Sequence, residues 1–133
     1  MKRILVVEDE VSISHLISYN LEQAGYHVET AADGVEALRQ LDSFCPHLVT
    51  LDLLLPQRSG WEVLHGLRHH PQKRVASLPV IVVSALNSPP LRTELRQNGV
   101  RYCLDKPFSV TELCKLVHTL LEEHVDSALA SPL

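Results

Sequence analysis

Short apolar runs alternate with longer amphipathic stretches along the 133 residues of the chain. Four runs have the length of buried strands, and they cover residues 4–7, 48–51, 80–83 and 102–104. Residues 27–30 form a fifth, half-polar candidate strand. Continuous apolar runs, as opposed to alternating ones, are typical of parallel strands that are covered by helices on both faces.

Between these strands, apolar residues recur at the spacing of an amphipathic helix. The clearest stripes are Ile13, Leu16, Ile17 and Leu21, and then Leu113, Leu116, Val117, Leu120 and Leu121. Helix starts are marked where a capping side chain precedes a glutamate by three residues, at Asp33, Ser59 and Ser109. Gly25 and Gly99 mark helix ends. Five strand-then-helix units predict an α/β fold, a doubly wound five-stranded parallel sheet with five helices.

Composition limits the class of protein. Hydrophobic residues make up 45% of the chain and charged residues 21%, which is typical of one globular domain and not of a disordered chain. We assign residues 1–124 to this domain and residues 125–133 to a C-terminal tail or the start of a linker. The net charge of −4 disfavours direct binding to nucleic acid and to anionic membranes.

The cysteine content indicates a reducing compartment. Three widely spaced cysteines, at positions 45, 103 and 114, give neither a disulfide framework nor a zinc knuckle. No apolar segment of the sequence is long enough to span a bilayer. These features favour a cytoplasmic protein.

The ends of the predicted strands carry the candidate chemistry. Glu8 and Asp9 follow the first strand, Asp52 follows the third, Ser84 the fourth and Lys106 the fifth. The carboxyl ends of parallel strands meet at one edge of the sheet, so these side chains are expected to converge. Clustered carboxylates repel one another unless a cation compensates their charge, and oxygen ligands with few carboxylates suit Mg²⁺. We expect Asp9 and Asp52 to bind the metal, with Glu8 behind them.

A carboxylate beside a metal can attack phosphorus and form an aspartyl phosphate. Asp52 is the candidate nucleophile. The metal and Lys106 would neutralise charge on the transferred group, and the Ser84 hydroxyl would hydrogen-bond to one of its oxygens.

These residues stand in four motifs, which are LVVEDE at residues 5–10, LDLLLP at 51–56 followed by Gly60, VSA at 83–85 and KPF at 106–108. With these motifs the chain resembles the receiver domains of two-component response regulators, across residues 1–124. The resemblance implies that Asp52 is the phosphoacceptor and that Glu8 and Asp9 are the metal-binding pair. It also implies a third metal contact from the Leu54 carbonyl oxygen, and roles for Ser84 as the hydroxyl and for Lys106 as the lysine of the family.

The resemblance further implies the flavodoxin-like strand order 2-1-3-4-5 and a phosphorylation-dependent conformational switch. The expected phosphoryl donor is a sensor histidine kinase or a phosphotransfer protein. The expected target is a downstream protein or a missing output domain, with transcription regulation as one such output. Receivers are switches, so the only catalysis expected is the domain's own phosphotransfer and slow self-dephosphorylation.

Three features of the sequence depart from the family pattern. Cys103 occupies the position of the usual aromatic residue, and the neighbouring Tyr102 would point to the other side of the strand. Val100, Arg101 and Tyr102 follow Gly99, where receivers that dimerise through this region commonly carry acidic residues. The salt bridges of such dimers are therefore not carried over to this chain, and a homodimer stays open. Leu54 and Leu86 would position an attacking water poorly, and this motivates the expectation of slow self-dephosphorylation.

Other functions remain possible from the sequence. A degenerate receiver would keep the fold and bind a partner without being phosphorylated. A phosphohydrolase of the haloacid-dehalogenase type would need an aspartate where Leu54 stands. A flavodoxin-like cofactor site would need neutral donors where Glu8 and Asp9 would repel a phosphate. Taken singly, Asp9 could cap a helix, and Lys106 could pair with Asp105 or Glu8.

Overall fold

A computed structural model describes residues 1–55, 57, 59–85 and 88–125 of the chain. Pro56, Leu86 and the predicted tail beyond residue 125 lie outside these residues. The strands are β1 (Arg3–Val7), β2 (His27–Ala31), β3 (Leu48–Leu51), β4 (Val80–Ser84) and β5 (Tyr102–Asp105). The helices are α1 (Val11–Gln23), α2 (Gly34–Ser43), α3 (Gly60–Arg68), α4 (Lys73–Ala76), α5 (Pro89–Gln97) and α6 (Val110–Val125).

The five strands form one parallel sheet in the order β2-β1-β3-β4-β5. This is the predicted doubly wound arrangement and the predicted strand order. The next two strands along the chain, β2 and β3, lie on opposite sides of β1. The order in which strands are added to the sheet therefore reverses at β1. The carboxyl ends of β1 and β3 are therefore neighbours, at the position where open α/β sheets bind their ligands.

Alternate residues of the central strands pack on opposite faces of the sheet, as the period of a strand requires. On one face, Leu5, Val49 and Val82 pack with buried side chains of α2, α3, α4 and α5. On the other face, Ile4, Leu48 and Ile81 pack with buried side chains of α1 and α6. Both faces are buried, and this explains why the strands appear in the sequence as continuous apolar runs.

The predicted helix boundaries are confirmed by the capping contacts. The side chains of Asp33, Ser59 and Ser109 each accept a hydrogen bond from the main-chain N–H three residues later. Gly25 and Gly99 follow α1 and α5 with φ of 99° and 75°, in the left-handed region that glycine adopts without a steric penalty.

The described residues contain six helices where five were predicted. The additional helix is α4, which has only four residues, Lys73–Ala76. One turn is too short to produce a repeating apolar stripe, so the sequence pattern gave no signal for it. Within the described part of the chain, no helix combines the length and the apolar character needed to cross a membrane.

Candidate functional site

Two neighbouring strand ends, those of β1 and β3, place the predicted acidic residues next to one another. Carboxylate oxygens of Glu8, Asp9 and Asp52 all lie within 4.8 Å of each other. The pairing of β1 with β3 sets this arrangement, because Val7 is opposite Leu51 and the main-chain N–H of Asp52 donates to the Val7 carbonyl oxygen at 3.0 Å. The sequence predicted this convergence.

Lys106 reaches into the acidic cluster from the end of β5. Its Nζ lies 2.7 Å from Oε1 of Glu8 and 3.0 Å from Oδ2 of Asp52. The side chains of Glu8 and Asp52 are only 2% and 5% exposed, so the ammonium group contacts both carboxylates away from bulk water. Of the two structural partners considered for Lys106, Glu8 is confirmed, whereas Asp105 lies 3.9 Å from Arg92 instead.

Main-chain donors fix the orientation of both buried carboxylates. The Leu54 N–H donates to Oδ1 of Asp52 at 3.0 Å, and the Glu10 N–H donates to Oε2 of Glu8 at 3.1 Å. The Asp9 side chain is exposed. These two N–H donors were not predicted, because a main-chain group has no signature in the amino-acid sequence.

Burial and neighbouring groups together shift the pKa values of Glu8 and Lys106. Burial raises the pKa of Glu8, and the charge of Asp52 adds to this effect, while hydrogen bonds from Lys106 and from the Glu10 N–H oppose it. Burial by itself would lower the pKa of Lys106, but its hydrogen bonds to Glu8 and Asp52 outweigh burial and raise it. Lys106 is therefore held as a cation between two carboxylates.

The donor set fits a hard divalent cation. Three carboxylates against one ammonium group leave two negative charges at the cluster. Both oxygens of Glu8 and both oxygens of Asp52 accept a hydrogen bond, whereas Asp9 lies at the surface beside them. Oxygen ligands with one or two direct carboxylates and room for water suit Mg²⁺.

Ser84 and Leu54 complete the predicted set. Ser84 ends β4 and is fully buried, and its carbonyl oxygen accepts a hydrogen bond from the Lys106 N–H at 3.0 Å. The Leu54 side chain is 53% exposed beside Asp52. The side chains of Glu8, Asp9, Asp52 and Lys106 therefore lie together. Ser84 and Leu54 are joined to this cluster by main-chain hydrogen bonds, to Lys106 and to Asp52 respectively.

Comparison with known proteins identifies the family. The model of the response regulator receiver domain family matches residues 4–118. The chain belongs to this family. The transcriptional regulator RpaA of Synechocystis is 38% identical over 121 residues, which cover 91% of this chain and 49% of RpaA. The alkaline phosphatase synthesis regulator PhoP of Bacillus subtilis is 38% identical over 131 residues, which cover 98% of this chain and 52% of PhoP.

Solved receiver structures superpose on this fold. The receiver domain of the Francisella response regulator 1452 has a TM-score of 0.84 and 31% identity, and the match covers 93% of this chain and 99% of that one. The chemotaxis protein CheY4 of Vibrio cholerae has a TM-score of 0.82 and 32% identity, with 90% and 98% covered. This receiver spans about half the length of the curated regulators named above.

The fifth strand of this receiver shows where the unusual residues lie. Tyr102 and Cys103 pair with Ile81 and Val82 in regular register. Tyr102 packs on the α1 and α6 side of the sheet, and Cys103 packs on the side of α5. The Tyr102 ring therefore does not replace the missing aromatic residue on the Cys103 face.

The close approach of α3 to the site depends on Gly60. A Cβ atom at this position would overlap the Asp52 carbonyl oxygen and the Leu53 Cα, and it would lie 3.0 Å from the Asp52 carbonyl carbon. The Gly60 N–H donates to the Leu53 carbonyl oxygen at 3.0 Å. This contact closes the segment after β3 against the start of α3.

Proposed function

We propose that Asp52 accepts a phosphoryl group from a sensor histidine kinase or a phosphotransfer protein, in a reaction that requires Mg²⁺. The observation that supports this best is the Asp52 carboxylate, which is nearly buried, bound by Lys106 and by the Leu54 N–H, and next to two further carboxylates. Response regulator receiver domains are signalling switches, and this site has the groups that such a switch needs.

Each residue has a defined role in the proposed transfer. An oxygen of Asp52 attacks the phosphorus atom, an O–P bond forms, and the P–N bond of the donor phosphohistidine breaks with its electron pair left on the imidazole. Lys106 neutralises charge that develops on the phosphoryl oxygens, and the Ser84 hydroxyl donates a hydrogen bond to one of them.

Glu8, Asp9, Asp52 and the Leu54 carbonyl oxygen would hold Mg²⁺. When bound, the metal supplies positive charge that favours transfer of an anionic group to a carboxylate.

The switch must follow from contacts that exist only in the phosphorylated state, because equal contacts in both states shift no equilibrium. Ser84 joins the site to α5 through the segment after β4, and Lys106 joins it to β5. We expect the α5 and β5 region to change its arrangement. Signal output then passes to a downstream protein or to an output domain, and the similar RpaA and PhoP are named as transcriptional regulators. We place this activity in the cytoplasm.

The intact mass of the protein tests the proposal. The chain is incubated with acetyl phosphate and Mg²⁺, beside an Asp52→Asn variant and a sample with excess EDTA. One added phosphoryl group is expected in the wild-type sample only. No addition with acetyl phosphate and none with a panel of histidine kinases would contradict the proposal and favour the degenerate, partner-binding receiver. Steady hydrolysis of a small phosphate ester would indicate the phosphohydrolase instead.

Self-dephosphorylation is expected to be slow because the exposed Leu54 side chain beside Asp52 provides no group to orient water. Leu54→Asn supplies a polar side chain at the same position and should shorten the phosphoryl half-life by about an order of magnitude. The half-life is measured by intact mass after the donor is removed. A Leu16→Asn variant, exposed on α1, serves as the control. Equal half-lives for Leu54→Asn and the wild type would contradict this expectation.

A further inference from the structure

Two histidines lie one helical turn apart on the surface of α3. His65 is in the helix, His69 directly follows its last residue, and both side chains are exposed. Their imidazole rings lie against each other, with 4.1 Å between the ring centroids and 31° between the ring planes. Side chains at positions i and i+4 are neighbours on one face of a helix. Both rings can therefore reach the same ion outside α3.

The hydrogen bonding of His69 determines which of its ring nitrogens carries a lone pair. Its Nδ1 lies 2.9 Å from the His65 carbonyl oxygen. A carbonyl oxygen can only accept a hydrogen bond, so Nδ1 carries the proton and the lone pair of the neutral ring is on Nε2. A hydrogen bond from one ring nitrogen to a main-chain carbonyl is also what orients metal-binding histidines in proteins. His69 is thus held in the tautomer that binds a metal through Nε2.

The surface next to His65 carries negative charge. His65 lines a hollow of about 340 Å³ between α3 and α5, and two carboxylates, those of Glu62 and Glu94, line the same hollow. No arginine or lysine lines it among the residues that the structure describes. A cation beside His65 is therefore attracted to this surface, and the hollow leaves room for water ligands.

We propose that His65 and His69 bind a divalent transition-metal ion, of the class of Ni²⁺, Cu²⁺ and Zn²⁺, through their Nε2 atoms. Imidazole nitrogen suits these ions, whereas Mg²⁺ prefers oxygen ligands. With metal–nitrogen distances of about 2.0–2.1 Å, two ligands of a tetrahedral ion lie about 3.4 Å apart. Rings whose centroids are already 4.1 Å apart need only a small adjustment to reach this geometry. Water occupies the remaining coordination positions.

This site is distinct from the acidic cluster around Asp52. His65 follows Gly60 by five residues, which is about 7.5 Å along the helix axis, and α3 runs away from the carboxyl ends of the strands. The ligands also differ, because the acidic cluster offers only carboxylate oxygens among the described residues. Metal binding at the histidines does not require phosphorylation, so it can fail or hold independently of the proposed function.

The fluorescence of Trp61 tests the proposal. The chain has one tryptophan, which lines the same hollow as His65. Ni²⁺, a paramagnetic ion that quenches a nearby indole, is titrated into the full chain in excess Mg²⁺, which occupies oxygen sites. We expect saturable quenching that EDTA reverses. His65→Asn and His69→Asn should each raise the Kd for Ni²⁺ at least about tenfold, because losing even a residue that orients a metal ligand has an effect of this size.

His118→Asn is the matched control, because His118 is exposed on α6 and the substitution is the same. Circular dichroism verifies that each variant is folded. As a second measurement, Ni²⁺ should raise the midpoint of urea unfolding in the wild type and in His118→Asn but not in the other two variants, because the ion binds both histidines only in the folded helix.

Three results would overturn the proposal. The first is an equal Kd for Ni²⁺ in the wild type and in both variants of the α3 histidines. The second is a loss of affinity in only one of those variants, which would indicate a single ligand. The third is a loss in Asp9→Asn with none in His65→Asn, which would place the ion at the acidic cluster.

Discussion

Arg68 joins the carboxyl-terminal ends of three helices, and its removal should destabilise the domain strongly. The side chain leaves the last turn of α3 and donates hydrogen bonds to four main-chain carbonyl oxygens. Its Nε contacts Asn98 at 2.6 Å, one terminal nitrogen contacts Leu78 at 2.8 Å and Ala76 at 3.2 Å, and the other contacts Gly99 at 3.4 Å. A cation at the carboxyl ends of α4 and α5 also interacts favourably with their dipoles.

The expected loss follows from these contacts. A hydrogen bond from a charged donor contributes about 1.5–3 kcal/mol. If only the two contacts shorter than 3.0 Å are counted at the lower value, Arg68→Met should reduce the free energy of unfolding by about 3 kcal/mol. Arg68→Lys keeps the charge but reaches fewer carbonyl oxygens, so its loss should be smaller. A domain of this size has about 5–15 kcal/mol in total, so the effect is easy to detect.

Urea unfolding followed by circular dichroism measures the loss. Arg39→Met is the control, because Arg39 is exposed on α2. A loss below about 1 kcal/mol, or one equal to that of the control, would refute the argument that these contacts hold the helix ends together. Phosphorylation by acetyl phosphate should persist in Arg68→Met wherever the variant is folded, because the site is formed by other strand ends.

Two further outcomes are expected. Gly60→Ala should destabilise the domain by about 2 kcal/mol or more and slow the phosphorylation of Asp52, because the added Cβ displaces the main chain that carries Asp52. Urea unfolding measures the loss of stability, and the rate at which the intact mass increases measures the phosphorylation. Unchanged values of both would contradict the predicted overlap. Burial and the nearby positive charge of Arg3 lower the pKa of His47, whose Nδ1 accepts the Arg3 N–H at 2.9 Å. In the unfolded chain His47 is protonated below about pH 6.5, whereas in the folded protein its protonation requires a lower pH. The contribution of His47 to the free energy of unfolding is therefore complete above about pH 6.5, and it is lost as the pH falls towards the lower folded pKa. The His47→Asn variant keeps a hydrogen-bond acceptor but no group that titrates in this range. When the pH is lowered, its free energy of unfolding in urea should therefore fall less than that of the wild type, whereas that of the exposed His118→Asn variant should fall as the wild type does.

The site shows how far the sequence alone can predict function. Parallel strands end at one edge, so the order of strand-ending residues was enough to bring Glu8, Asp9, Asp52 and Lys106 together before any distance was known. The sequence could not decide between the structural partners of Lys106, because that choice depends on the side-chain path across the sheet. The structure shows Glu8 and Asp52 as its partners.

The sequence by itself determined the elements whose signals are local. Apolar runs defined the strands, and capping residues and glycines defined most helix ends. Each of these signals depends only on residues that are close neighbours in the sequence. The tertiary structure alone decided contacts between segments distant in sequence, such as those between Arg68 and the carbonyl oxygens of Asn98 and Leu78. An arginine at the end of one helix and carbonyl oxygens beyond the ends of two other helices show no relation in the sequence, and they come together only when the burial of both sheet faces fixes how the helices pack.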